Sequence, residues 1–187
     1  MVARRQGRRQ DGRGPELAAC THTEKKSEVA PVSVVLLLNG PNLGILGRRE
    51  PEIYGTDTLA DIEAAVADEV SVQGWEVLSV QHDSEGDLVG AIHRHSGSTV
   101  GAIVNPGALM IAGWSLRDAL ASYAPPWVEV HLSNVWAREQ FRHESVIAPL
   151  ASGVVVGLGA FGYRLAARAL VHLSGTGRAG PGGSPGT

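Results

Sequence analysis

Three short stretches of this chain carry side chains whose types and spacing suit proton transfer at a polar ligand. In NGPNLGILGRREPEIYG (39–55), Tyr54 follows the adjacent arginines Arg48 and Arg49 on a glycine-rich loop. A phenol titrates near ~10 in isolation, and a neighbouring guanidinium favours its ionised form, so Tyr54 is a candidate base. The alternative is an amphipathic anchor that holds the loop down, and spacing alone favours that. In EVHLSN (129–134), Glu129, His131 and Ser133 share one face of a strand, because successive side chains alternate. A carboxylate two residues from an imidazole can orient it and support its protonated form, as a general acid requires. His131 reads as structural in mid-strand; at a strand's carboxyl end a functional role is open. In VWAREQFRHES (135–145), Arg138 and Arg142 lie one turn apart if the segment is helical, on a common face suited to an anionic group. A solvated pair bridged to Glu139 or Glu144 reads equally well.

These groups need a scaffold that brings the ends of separate segments together. VSVVLLL (32–38) is a continuous apolar run, the pattern of a strand buried on both faces. After the loop, Leu59, Ile62, Val66 and Val70 mark a helical stripe, with Thr58 and Asp61 as its start signal. WEVLSVQ (75–81) reads as a second strand, and Ser84 to His95 as a helix with Leu88, Ala91, Ile92 and His95 on one side. TVGAIV (99–104) is the third strand, and a helix follows around Trp114 to Tyr123. WVEVHL (127–132) and GVVVG (153–157) complete five strands, with a last helix expected over about 160–172. The alternation implies right-handed βαβ units around a parallel sheet. The expected fold is therefore α/β, a flavodoxin-like three-layer sandwich with a five-stranded parallel sheet. Ligands of such sheets sit beyond the carboxyl ends of the strands. That edge gathers the groups named above and adds Asn42 and Asn105.

Composition removes other chemistries. Residues 1–31 carry seven Lys/Arg against four acids, while 32–173 carry eight arginines against fifteen acids. An acidic body argues against a dedicated nucleic-acid binder. Both lysines, Lys25 and Lys26, and the single Cys20 fall in the first 31 residues. The body can thus form no Schiff base and lacks a P-loop lysine, a disulfide framework and a thiol nucleophile. GLGAFG (157–162) matches G-x-G-x-x-G, but no Asp or Glu follows Glu144 to bind a ribose. Close helix–strand packing is favoured there over a dinucleotide. His93 and His95, two apart on a helix, diverge and read as surface and packing residues rather than metal ligands. Residues 1–31 and 174–187 are expected to be disordered tails around one domain over 32–173. The paired arginines near the start lack the apolar stretch of an export signal, and no run approaches the ~18 residues of a membrane span. The expectation is a soluble, cytoplasmic protein with no membrane or nucleic-acid partner.

Taken together, GPNLGILGRREPEIYG, NPGA with LRDAL behind it, EVHLSNVWAREQFRHES and GVVVGLGAFGYRLA strongly resemble the type II 3-dehydroquinate dehydratases. The resemblance runs from about Val34 to Val171. It implies a flavodoxin-like fold, trimers built into dodecamers, no metal or cofactor, and conversion of 3-dehydroquinate to 3-dehydroshikimate in the shikimate pathway. It also assigns roles. Tyr54 would accept the proton beside the ketone, with Arg49 holding it as phenolate. Asn42 would position a water against the developing enolate oxygen. His131, oriented by Glu129, would protonate the departing hydroxyl. Asn105 and Arg142 would bind ring hydroxyls, and the backbone amides of Leu132 and Ser133 the carboxylate. Asp118 would reach a neighbouring subunit's site, and Arg138 would support the site or its lid.

One segment departs from the family pattern. After strand three the family usually carries a His-Thr-Ser run, whereas this chain has NPGALMIAG, with Ile111 in place of the histidine and Ala112 and Gly113 in place of Thr and Ser. A substrate hydroxyl left unpaired against isoleucine would bind more weakly by about 1–3 kcal/mol. Two alternatives therefore stand beside the family activity: the same elimination on a modified dehydroquinate-like substrate, or a catalytically silent small-molecule-binding paralogue.

Overall fold

The computed structural model describes residues 32–48 and 55–175. The expectations for residues 1–31, 49–54 and 176–187, Arg49 and Tyr54 among them, lie outside the described residues.

Five parallel strands form one sheet in the order β2-β1-β3-β4-β5. They are β1 (Val34–Asn39), β2 (Glu76–Gln81), β3 (Thr99–Asn105), β4 (Trp127–His131) and β5 (Gly153–Val156). The helices are α1 (Leu59–Ser71), α2 (Glu85–His95), α3 (Trp114–Ala121) and α4 (Phe161–Gly175). This is the flavodoxin-like order expected from the sequence. Alternation along β1 builds two cores. Val35 and Leu37 face α1 and α4, with Ile62, Val66, Ala166 and Leu170. Leu36 and Leu38 face α2 and α3, with Leu88, Ile92, Leu116 and Leu120. Each fully covered leucine contributes about 1.5–3 kcal/mol of burial.

Helix ends show how local chemistry sets the elements. Thr58 and Asp61 close a reciprocal cap on α1: the Thr58 hydroxyl accepts from the Asp61 N–H at 3.2 Å, and the Asp61 carboxylate accepts from the Thr58 N–H at 2.9 Å. Helix α3 has no side-chain cap of its own, and the Leu116 N–H donates instead to Glu85 Oε1 at 2.9 Å, from the first turn of α2. Glu69 on α1 ties down α4, accepting from Arg164 Nε at 2.6 Å and from Arg168 Nε at 2.7 Å. Its hydrogen bonds to Arg168 and then Arg164 lower its carboxyl pKa to about 2.

Two sequence expectations change, and one condition is not met. Helix α4 continues to Gly175, past the expected end near 172. Helix α3 stops at Ala121, two residues short of Tyr123, which instead buries its hydroxyl against Thr99 at 2.7 Å. Residues 135–145 are not one helix: two 3-10 turns, Val135–Ala137 and Gln140–Arg142, are separated by Arg138 in extended backbone, at φ −107° and ψ −164°. No described helix is long and apolar enough to cross a membrane.

Candidate active site

The carboxyl ends of β1, β3 and β4 converge, and the loops leaving them enclose a cavity of about 140 Å³. The loops after β1 and β3 touch closely. The Gly40 N–H donates to the Asn105 carbonyl at 2.8 Å, and a Cβ on Gly40 would stand 2.5 Å from the Pro106 carbonyl oxygen. Only glycine fits there. Two residues on, Asn42 adopts left-handed backbone at φ 66°, a region asparagine tolerates better than most residues. The carboxylate of Asp83, beyond β2, holds it: Asp83 Oδ1 accepts from the Asn42 N–H at 2.8 Å and from Gln81 Nε2 at 3.0 Å.

Strand β4 ends in an acid–imidazole pair. His131 Nε2 lies 2.6 Å from Glu129 Oε1, with Glu129 fully buried and His131 6% exposed. The same carboxylate oxygen accepts from the Ser145 hydroxyl at 2.7 Å. Ser145 Oγ in turn accepts from the N–H groups of Ile147 at 3.3 Å and Ala148 at 3.2 Å, so its hydrogen is directed at Glu129. The other carboxylate oxygen of Glu129 is buried with no partner among the described residues. With Nε2 engaged, Nδ1 is the ring nitrogen left for a ligand in the cavity that His131 lines.

Asn105 ends β3 directly opposite Asn39, which ends β1. Its Nδ2 donates to the Tyr163 hydroxyl at 2.8 Å, and its Oδ1 accepts from the Gly107 N–H at 3.1 Å. Arg138 and Arg142 both line the cavity despite the broken helix. They share the Glu139 carboxylate, Arg142 Nε at 2.8 Å and Arg138 Nε at 3.6 Å. The Arg142 guanidinium also stacks 4.7 Å from the centre of the Phe141 ring. The backbone N–H of Glu139 and then Arg142 keep the Glu139 carboxyl below its ordinary range.

The fold brings Asn42, Asn105, His131, Leu132, Ser133, Arg138 and Arg142 to one cavity. Glu129 stands directly behind His131. Asp118 lies on the exposed side of α3 and does not line this cavity. The 3-10 turn Gly107–Met110, just ahead of Ile111, carries Met110, 4% exposed, into the wall, and Ile111 is not among the described lining residues. Arg49 and Tyr54 lie outside the described residues. Sequence reasoning passed over Asp83, Ser145, Asn39 and Tyr163. Asn39 did carry a signal, since it is a polar residue closing an apolar run as Asn105 does; the other three find their partners only through the fold. In GLGAFG, Gly162 in the first turn of α4 packs helix against strand, where a Cβ would stand 3.4 Å from Val155 Cγ1 and 3.7 Å from Val130 Cγ1. Gly157, at φ 83°, lies against the loop after β4, where a Cβ would stand 3.0 Å from that of Asn134. Among the described residues, no group of three or more His, Cys, Asp or Glu side chains is placed to hold a metal ion.

Comparison with known proteins gives a consistent picture. Residues 33–171 match the family model described as Dehydroquinase class II. A 3-dehydroquinate dehydratase of Bacillus subtilis (strain 168) is 49% identical over 140 residues, covering 75% of this chain and 95% of that one. The crystal structure of a type II dehydroquinase from Propionibacterium acnes aligns with a TM-score of 0.70 at 42% identity, covering 76% of this chain and 97% of that one. That of a type II dehydroquinase from Butyrivibrio crossotus DSM 2876 aligns at 0.71 and 37% identity, covering 75% and 98%.

Proposed function

The chain belongs to the class II dehydroquinase family, and from that premise we propose how its cavity removes water from 3-dehydroquinate. The chain is a hydro-lyase, a 3-dehydroquinate dehydratase, which turns a cyclic β-hydroxy ketone into the conjugated enone 3-dehydroshikimate. The elimination breaks a C–H bond beside the ketone, leaving an enolate and giving the proton to a base. The enolate then collapses, the C–O bond at the next carbon breaks, and the departing oxygen takes a proton from an acid. No electrons are gained or lost overall, so side chains suffice.

His131 is the acid, oriented by Glu129 behind it. Tyr54 is the base, with Arg49 favouring its phenolate. Asn42 sets a water against the enolate oxygen, where developing charge is greatest. Asn105 and Arg142 take ring hydroxyls, the N–H groups of Leu132 and Ser133 take the carboxylate, and Arg138 supports the site. Met110 gives the substrate an apolar wall. The observation that carries this reading is the buried Glu129–His131 pair opening on a cavity at the strand ends.

The finer reading has the protein work in the cytoplasm as a trimer-based dodecamer, with Asp118 completing a neighbour's cavity. Light scattering on the purified chain tests the assembly, and a fully active monomer would remove it. For the chemistry, purified protein with 3-dehydroquinate yields an enone followed by ultraviolet absorbance. Tyr54→Phe abolishes turnover while keeping the fold and much of the ligand binding. Undiminished turnover in that variant would exclude Tyr54 as the base.

A further inference from the structure

The mechanism leaves one buried phenol unused. Tyr163, in the first turn of α4, is fully buried. Its hydroxyl donates to Asn39 Oδ1 at 2.8 Å and accepts from Asn105 Nδ2 at 2.8 Å, bridging the ends of the two central strands. We infer that Tyr163 is a positioning residue for substrate recognition, fixing the amide of Asn105 as it faces the cavity. This rests on the reading of Asn105 as a substrate contact.

A phenol has one hydrogen to give. Because that hydrogen goes to the Asn39 carbonyl, the Asn105 amide meets an acceptor and must present nitrogen. The Gly107 N–H, 3.1 Å from Asn105 Oδ1, imposes the same orientation from the other side. One N–H and one lone pair of Asn105 then remain for a ligand, in a single arrangement. Flipping the amide would set its oxygen against the phenol oxygen's lone pairs and its nitrogen against a backbone donor. Burial raises the Tyr163 pKa far above the ordinary phenol value, so the hydroxyl keeps its hydrogen and the arrangement holds at any working pH.

The bridge is better at orienting than at stabilising. Asn39 Nδ2 is buried with no partner among the described residues, an unpaired donor that lowers stability. The G-A-F-G turn that precedes Tyr163 therefore has a purpose beyond helix–sheet packing: it delivers the phenol to the sheet end.

Tyr163→Phe removes one oxygen and keeps the ring. A contact used equally in ground and transition states acts on KM. We expect KM for 3-dehydroquinate to rise about 5- to 30-fold, as one misdirected hydrogen bond predicts, with kcat changed by less than about threefold. In an Asn105→Ala background the same substitution should leave KM where it was, because Tyr163 acts through Asn105. An unchanged KM in the single variant, or an equal rise in both backgrounds, would overturn the inference. A merely structural tyrosine would lower the melting temperature without the split between KM and kcat. Should the wild-type chain form no enone, the proposed reaction fails, and a crystal structure of Tyr163→Phe decides the positioning claim alone. An Asn105 amide turned or spread over two orientations supports it; an unmoved amide refutes it.

Discussion

Replacing Gly40 by alanine tests whether the site depends on the contact between the loops after β1 and β3. The added Cβ would stand 2.5 Å from the Pro106 carbonyl oxygen and 2.7 Å from its carbon. A relaxed C···O approach is ~3.3 Å, so the loops must part by about 0.8 Å. Both neighbours are backbone, and neither can swing aside as a side-chain tip would. The displaced loops carry Asn42 and Asn105, and the Gly40–Asn105 hydrogen bond of 2.8 Å must lengthen or break. Misplacing reactive groups by roughly 1 Å costs on the order of 100-fold in rate, and forced overpacking costs about 1–3 kcal/mol of stability. Steady-state kinetics on 3-dehydroquinate should show kcat/KM falling by about 100-fold, and urea unfolding a loss of that size. Gly86→Ala is the control: in α2 a Cβ would meet only Ser84 Oγ at 3.7 Å. It should leave activity intact and stabilise the helix by about 0.5–1 kcal/mol. A Gly40→Ala enzyme as active and stable as wild type would refute the argument that this close approach shapes the cavity.

Ser145→Ala removes one of two donors to Glu129 Oε1 and frees the N–H groups of Ile147 and Ala148. It should cost about 1.5–3 kcal/mol in chemical unfolding, the range for a hydrogen bond to a charged group, with kcat reduced. Undiminished stability would mean that the bond is not formed in solution. Glu69 gives a pH signature: its carboxyl pKa is depressed to about 2 by Arg168 and Arg164, from an ordinary 4.5. A depressed carboxyl stabilises fully above the ordinary value and loses that contribution as pH falls toward the depressed one. Thermal melts of wild type and Glu69→Gln should therefore differ most above pH 4.5 and converge toward pH 2. A gap that widens on acidification would reverse the sign and exclude the staple.

Most of the fold could be read from periodicity, since β1 needs apolar residues on both faces and α1 on one stripe. The EVH alternation correctly put Glu129 beside His131, because i and i+2 on a strand share a face whatever surrounds them. The failures came where partners are remote. Nothing near Trp114 announces that α3 is capped by Glu85, 31 residues away. Arg138 and Arg142, four apart, would share a face only if 135–145 were helical; Glu139 instead draws both guanidiniums to one carboxylate across two tight turns, the alternative that spacing left open. Met110, which the 3-10 turn ahead of Ile111 carries to the cavity, was passed over because a motif position does not say which side chain a tight turn presents. Tyr163 stands 124 residues from Asn39, a separation no local pattern spans.

That separation has a consequence for biosynthesis. Helix α4 is the last described element to leave the ribosome, yet it holds the hydroxyl that joins the ends of the first and third strands. A nascent chain arrested before Phe161 lacks both the cover over Val35 and Leu37 and the lock on the terminal asparagines. The sheet end that Asn39 and Asn105 close is therefore completed only when the last described helix docks, together with the core beneath it.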